Sequence, residues 1–441
     1  MVTMDIHYHS AGEAIAQIKD GDNLHWPCVV GAPEMLIEAL VHRAQTGELH
    51  HIHISHLYTE GYAEYVNPPY NEVFHLDSYF VGGNVRKATW AGFADHIPCS
   101  LSQVPGMIES GLHPCDVVLL TSSEIDENQH LSLGTSVDYM IAALSKARLA
   151  IVQVNKYMPF TYGDAEMTLE PHSEGCTRYR LRLKNGASVP AMLVRGDKEL
   201  IASPYPPLTE TDYAIGRHVA ELIPDGATLQ IGIGSIPSAV LAQLGGHKDL
   251  GIHSEMMTGD VIDLVEKGVI NGSRKVTDPG KMVAMFLKGD QCLYDFIDRN
   301  NDLLMMRMDY TNNPLVIAQN PNVVALNSAI EIDLTGQVCA DSVGSRIFSG
   351  SGGQLDFMLG ASMSKGGIPI IAMPSTTAKG KSKIVRHLTQ GAGVVTPRTM
   401  VHWVVTEHGA VNLYGKSLEE RKRLLLSIAD PKSREEIEAT V

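Results

Sequence analysis

The amino-acid sequence predicts an α/β fold made of two related open domains whose sheets are mostly parallel. Three observations carry that prediction. Short apolar runs alternate with helix-period segments along the chain, 441 residues exceed what one ordinary core organises, and the two halves carry matching segments in the same order.

The apolar runs come first. Val117-Val118-Leu119-Leu120, Ala150-Ile151-Val152-Gln153-Val154 and Pro369-Ile370-Ile371-Ala372-Met373 have the near-continuous apolar character of strands covered on both faces. The duplication is read from three matches. Asp20-Gly21-Asp22-Asn23-Leu24-His25, followed by Gly31-Ala32-Pro33, pairs with Asp225-Gly226-Ala227-Thr228-Leu229-Gln230, followed by Gly234-Ser235-Ile236-Pro237. Glu124-Ile125-Asp126 pairs with Glu331-Ile332-Asp333, and Ser145-to-Val152 pairs with Ser364-to-Ile371. Each match alone is weak, but their common order argues for two copies. The proline cluster Ser203-Pro204-Tyr205-Pro206-Pro207-Leu208 suits an extended linker, dividing the chain into residues 1–203 and 204–441. Two like domains predict a ligand site in the cleft between them.

Composition narrows the function classes. Hydrophobic residues make up 44% and charged residues 19%, the balance of a soluble globular chain. A net charge of −15 offers no basic surface for nucleic acid or an anionic membrane. Six cysteines without a C-x-x-C pair read as reduced thiols, and no stretch suits a leader or a membrane span, so a cytoplasmic location is expected.

The duplication also singles out one carboxylate. The run Gly251-Ile252-His253-Ser254-Glu255-Met256 places Glu255 at a strand end, where the first half offers only an apolar counterpart near Ile54. A fold that does without a carboxylate in one copy keeps it in the other for chemistry. Shortly before it, Gly232-Ile233-Gly234-Ser235-Ile236-Pro237 joins a strand to a helix. This is a tight turn on the bland reading, and a set of backbone N–H donors for an oxyanion or thiolate on the functional one. Pro237 stands where a dinucleotide fingerprint needs its third glycine.

Ser349-Gly350-Ser351-Gly352-Gly353 is a second glycine loop, flanked closely by apolar residues as a ligand cradle would be. The lysines of Pro374-to-Lys383, Lys379 among them, suit either a phosphate or open solvent. His50-His51-Ile52-His53-Ile54-Ser55-His56 reads as a strand with histidines on its polar face rather than a metal site. No hydrolase elbow and no Walker lysine is present.

These segments, taken with Thr406-Glu407-His408-Gly409 and Asn412-to-Leu418, resemble the class I coenzyme A-transferases over nearly the whole chain. The closest resemblance is to the 4-hydroxybutyrate and butyrate:acetate branch, which includes acetyl-CoA hydrolases. The resemblance implies that Glu255 is a nucleophile that becomes a glutamyl-CoA thioester. It implies that Gly232, Ile233, Gly234, Ser235 and Ile236 bind CoA and supply oxyanion donors, and that Gly350, Gly352 and Gly353 line the thioester end. His25 and Gln230 fall where that branch places substrate contacts. Ser349-Gly350-Ser351 is less glycine-rich than many relatives.

The implied substrates are an acyl-CoA and a short carboxylic acid, in a homodimer or larger assembly. Coenzyme A is the only cofactor, with no metal and no nucleoside triphosphate. A hydrolase using the same glutamate, and a non-catalytic CoA-binding protein, are the competing readings.

Overall fold

Val117–Ser122 and Leu149–Val154 are buried along their entire length, which is possible only for central strands covered on both sides. Around them the computed structural model, which describes residues 6–174, 177–203 and 207–439, builds a mixed α/β chain. It separates into two compact units that interleave along the sequence. The first takes the described parts of Met1–Cys99, Gln103–Ser203 and Met285–Asp309. The second takes Ser100–Ser102, Pro204–Ala284 and Tyr310–Val441. Pro204, Tyr205 and Pro206 of the expected linker lie outside the described residues, as does Cys176.

The first unit holds a ten-stranded sheet. Its strands are β1 (Asn23–His25), β2 (Ile52–His56), β3 (Phe74–Ser78), β4 (Ala94–His96), β5 (Val117–Ser122), β6 (His130–Ser132), β7 (Leu149–Val154), β8 (Glu166–Glu174), β9 (Thr177–Leu183) and β10 (Ser188–Arg195). They lie in the order β4-β3-β2-β1-β5-β7-β10-β9-β8-β6. Every pairing from β4 to β10 is parallel, and the last three are antiparallel. The change of direction changes the sequence pattern. β9 reads Thr177-Arg178-Tyr179-Arg180-Leu181-Arg182-Leu183, with its apolar residues buried and its arginines facing outward, as a strand with one covered face requires. Helices α1 (Glu34–Gln45) and α2 (Met140–Lys146) belong to this unit and turn Leu36, Ile37, Leu40 and Val41, and Met140 to Leu144, to the core.

The second unit repeats the plan in shorter form. Strands β11 (Thr228–Ile231), β12 (Gly251–Ile252), β13 (Val323–Asn327), β14 (Ile368–Ala372), β15 (Trp403–Thr406) and β16 (Gly409–Asn412) lie in the order β12-β11-β13-β14-β15-β16. All pairings are parallel except the last. The first four strands of this sheet match β2-β1-β5-β7 in chain order and direction. Each sheet next adds one parallel and one antiparallel strand, but β9 precedes β10 in the chain whereas β16 follows β15, so the duplicated topology covers four strands.

The register refines one expectation. Leu24 pairs with Ile54 and Leu229 with Ile252, so Ile54 corresponds to Ile252, and Glu255 corresponds to Leu57 rather than to a residue near Ile54. Leu57 is apolar and buried, so the asymmetry between the copies stands.

The longer helices of the second unit include α3 (Glu210–Ala220), α4 (Ser235–Leu241), α5 (Gln354–Met363) and α6 (Leu418–Ser427). Thr209 and Asp212 form a capping box at the start of α3, and Ser417 and Glu420 do the same for α6. Helix α5 is buried on two sides. Phe357 and Ala361 join Ile317, Val323 and Ala325 in one apolar cluster, while Met358 joins Ile371 and Val404 in another.

At Gly360 a Cβ would meet the buried Ile317 side chain at 2.6 Å. Alanine gains about 1 kcal/mol in helix propensity there, but overpacking of this kind costs about 1–3 kcal/mol. Gly360→Ala is therefore expected to lower the unfolding midpoint, and an unchanged or raised midpoint in a thermal melt would show that Ile317 yields freely.

Candidate active site

In the second unit, chain order reverses between β11 and β13: β12 pairs on one side of β11 and β13 on the other. Crevices at the carboxyl ends of such strands are where open α/β sheets bind ligands. Three segments meet at this edge. Beyond β11, Gly232-Ile233-Gly234 turns into α4, with Gly234 at φ 117°, a conformation only glycine adopts readily. A Cβ at Gly232 or Gly234 would meet nothing within 4 Å, so the backbone there is open to an approaching molecule. Together with Leu326, Asn327 and Ser328 at the end of β13 and Ala372 at the end of β14, the turn lines a cavity of about 270 Å³.

Glu255 follows β12 and is held by the residues before it. His253 is buried, with Nε2 2.9 Å from the Thr311 carbonyl, and burial pushes its pKa down to about 4, leaving the ring neutral. Ser254 donates its hydroxyl to the Ile231 carbonyl at 3.0 Å and accepts from the Ile231 N–H at 3.2 Å, tying the segment to the end of β11. Lys275 Nζ donates to the Ile252 carbonyl at 2.9 Å. The position of Glu255 is thus set by contacts on the three residues before it.

The carboxylate itself receives two donors. Asn312 Nδ2 reaches Glu255 Oε2 at 2.8 Å, and the Gly353 N–H points at the same group. A Cβ on Gly353 would land on Glu255 Oε2 and Asn312 Nδ2, so any side chain there displaces the pair. Glu255 keeps a fraction of its surface accessible, yet the carboxylate is largely stripped of water. Desolvation pushes its pKa up to about 7, helped by the negative charge of Asp356 and opposed by Asn312 and the Gly353 N–H. The second glycine loop also braces the cavity. Gln354, next to Gly353, donates to the Ser328 carbonyl at 2.7 Å and accepts from Thr396 Oγ1 at 2.9 Å.

The lysine-bearing loop begins just past Ala372. Ser375 at its root is clamped by Glu407, which accepts from the Ser375 N–H at 2.8 Å and from its hydroxyl at 2.6 Å. Lys379 and Lys381 are exposed, whereas burial lowers Lys383 to about 8. Among the described residues, the group able to hold a metal ion is His75, Asp77 and Asp95 on β3 and β4, with His75 Nε2 3.5 Å and 3.2 Å from the two carboxylates. His53 of the histidine run stacks edge-on against His75, while His56 is buried against Tyr65 rather than on a polar face.

Family models for the acetyl-CoA hydrolase/transferase N-terminal and C-terminal domains match residues 6–215 and 289–441. The chain is 41% identical over 429 residues to the 4-hydroxybutyrate coenzyme A transferase of Clostridium kluyveri, spanning 97% of this chain and 95% of that protein. It is 41% identical over 432 residues to the succinyl-CoA:acetate/propanoyl-CoA:succinate CoA transferase of Fasciola hepatica, spanning 97% and 86%. The chain belongs to the acetyl-CoA hydrolase/transferase family. Among solved structures, RipA from Yersinia pestis superposes with a TM-score of 0.86 at 31% identity, covering 98% of this chain and 96% of that one.

In this acetyl-CoA hydrolase/transferase chain, two residues expected to contact substrate are buried side chains with protein partners. His25 has no exposed surface, and its Nε2 sits 3.0 Å from the Pro114 carbonyl, so it is a core residue of β1. Gln230 is also buried, and its Oε1 accepts from Asn327 Nδ2 at 3.0 Å, so it braces a cavity wall from behind. Both were expected as substrate contacts from the family resemblance, which does not reveal how a side chain is buried or bonded in this chain. Ser235 spends its hydroxyl on Asp212, at 2.6 Å. The sequence reading missed Asn312, Asp356 and Ser102. The Asn312-Asn313-Pro314 run reads as a helix start, which Asn313 indeed caps, and nothing in it marks Asn312 as a partner of Glu255.

The raised pKa of Glu255 carries a stability consequence. An unfolded glutamate titrates near about 4.3. The folded chain holds the proton more tightly, so stability falls as pH rises from there to about 7. Glu255→Gln keeps the shape and an acceptor oxygen but not the charge. It is expected to raise the melting temperature at pH 8 relative to the parent, with a much smaller gain at pH 5. An equal shift at both values would show that the carboxylate is not strained by burial.

Proposed function

We propose that this chain is a CoA-transferase that moves coenzyme A between a short-chain acyl-CoA and a carboxylic acid, with Glu255 as the covalent relay. The observation that carries the reading is a largely desolvated carboxylate, fixed by Asn312 and the Gly353 N–H, in the one copy of the duplicated fold that retains it. Desolvation strengthens a carboxylate that would be a weak nucleophile in water, and fixed geometry lowers the cost of aligning it.

Glu255 attacks the thioester carbon, and backbone N–H groups of the Gly232-to-Ile236 turn take the negative oxygen. Collapse expels CoA thiolate and leaves an acyl-glutamyl anhydride. The thiolate attacks the glutamyl carbonyl, releasing the first carboxylic acid and leaving Glu255 as its CoA thioester. A second acid reverses the two steps and departs as the new acyl-CoA. Thioester energy is conserved throughout, so the route needs neither a metal nor a nucleoside triphosphate. The opening at Gly232 and Gly234 suits the pantetheine arm, and Lys379 and Lys381 suit its phosphates. Acetate, butyrate and 4-hydroxybutyrate are the proposed acids. A cytoplasmic location and a homodimeric or larger assembly belong to the same proposal and rest on the family resemblance.

The family also includes acetyl-CoA hydrolases, and the residual exposure of Glu255 keeps hydrolysis as the second reading. Incubating the protein with acetyl-CoA and a panel of short acids, with acyl-CoA species followed by mass and free thiol in parallel, separates the two. New acyl-CoA without thiol release is the expected result, and acid-independent thiol release would establish hydrolysis instead. If the Glu255 carboxylate is the nucleophile, kcat/KM rises with pH through about 7 and levels off above it. A profile flat from pH 5 to 8 would contradict that.

A further inference from the structure

We propose that Asp356 is a positioning residue for Glu255, acting through Asn312 and itself anchored by Ser102. The inference rests on the reading of Glu255 as nucleophile and extends it to residues outside the expected site.

The amide of Asn312 links the two carboxylates. Its side chain is fully buried, and its nitrogen donates to Glu255 Oε2 at 2.8 Å and also toward the Asp356 carboxylate. The Asn312 oxygen is buried with no hydrogen-bond partner among the described residues. A buried amide that satisfies its nitrogen twice and its oxygen not at all is oriented by its neighbours, not by its own balance of bonds. With a carboxylate on each side of the nitrogen, a flipped amide would set its oxygen against two anions. Asp356 therefore supplies the second anion that locks the Asn312 donor onto Glu255.

Asp356 is itself held from both of its oxygens. The Ser102 hydroxyl donates to Oδ1 at 2.7 Å and the Ser102 N–H to Oδ2 at 3.1 Å. Asp356 lies in the first turn of α5, where a negative charge is favoured by the helix dipole, and it is nearly fully buried. A buried carboxylate that closes no ion pair among the described residues is an expensive feature for stability alone.

Its charge has a second effect. Across the Asn312 amide, the charged group facing Glu255 is Asp356, and this like charge adds to the desolvation that raises the Glu255 pKa. Asp356 is itself raised to about 6, by burial against the opposing bonds from Ser102 and Asn312. The other titratable groups of this segment face elsewhere. His253 is directed at the Thr311 carbonyl and Lys275 at the carbonyls of Ile252 and Lys281. The two carboxylates titrate as a pair, and ionised Asp356 keeps Glu255 more basic and hence a better nucleophile.

The test compares Asp356→Asn and Asp356→Ala with the parent in the pH profile of kcat/KM for acyl-CoA and in the amount of CoA attached to Glu255. Asp356→Asn keeps an acceptor for Asn312 and removes the charge. It is expected to move the midpoint of the acid limb to lower pH and to lower the plateau about tenfold or more. Asp356→Ala also frees Asn312, so its plateau falls further. Should either variant fold poorly, Ser102→Ala loosens Asp356 without removing it and is expected to lower the plateau by a smaller factor.

A purely structural Asp356 would lower the melting temperature and leave the limb of the folded fraction where it was, which would overturn the proposal. If the parent protein itself attaches no CoA to Glu255, the nucleophile reading fails and the positioning proposal with it. Attachment in the parent, with an unmoved limb and an unchanged plateau in Asp356→Asn, refutes the positioning role alone.

Discussion

One contact governs the site: the Glu255 carboxylate lies against the bare backbone of Gly353, where no side chain fits, with the Asn312 amide closing its other side. Everything else in the second unit can be read as meeting that requirement. Ser254 ties the preceding backbone to β11, and Lys275 holds the Ile252 carbonyl. Helix α5 presents Gly353 at its start, while Phe357 and Met358 fasten the helix into two apolar clusters. The carboxylate is thereby largely desolvated, aimed and costly to ionise, which suits attack on a thioester.

The duplication explains how such a site arises on an ordinary frame. Four strands in each unit share chain order and direction, and the first copy carries Leu57 where the second has Glu255, so the frame forms without the glutamate. The copies have diverged at the carboxyl ends of their strands, where open α/β sheets place ligands. In the second copy, the turn after β11 leaves the space around Gly232 and Gly234 open and lines a cavity with the ends of β13 and β14.

Much of the fold was legible in the sequence because it depends on short-range pattern. Runs such as Leu149–Val154 are apolar at all but one position and become central parallel strands, while β9 alternates and becomes antiparallel. The three paired segments announced the repeat. Glu255 was legible because it interrupts that repeat, and the two glycine loops because glycines before a helix need a reason. What stayed hidden depends on contacts far apart in sequence. Asn312 lies 57 residues from Glu255, and Ser102 lies 254 residues from Asp356. The burial of His25 and Gln230 was hidden for a different reason: both are polar residues on central strands whose side chains bond the Pro114 carbonyl and Asn327.

The central claim, that Glu255 carries coenzyme A during turnover, is tested most directly by intact-protein mass spectrometry after mixing with acetyl-CoA in the absence of an acceptor acid, followed by peptide mapping. The account predicts a CoA-bearing species whose modification maps to the peptide containing Glu255 and disappears on adding an acceptor acid. Turnover with no covalent species at any time, or a modification mapped to another residue, would contradict it.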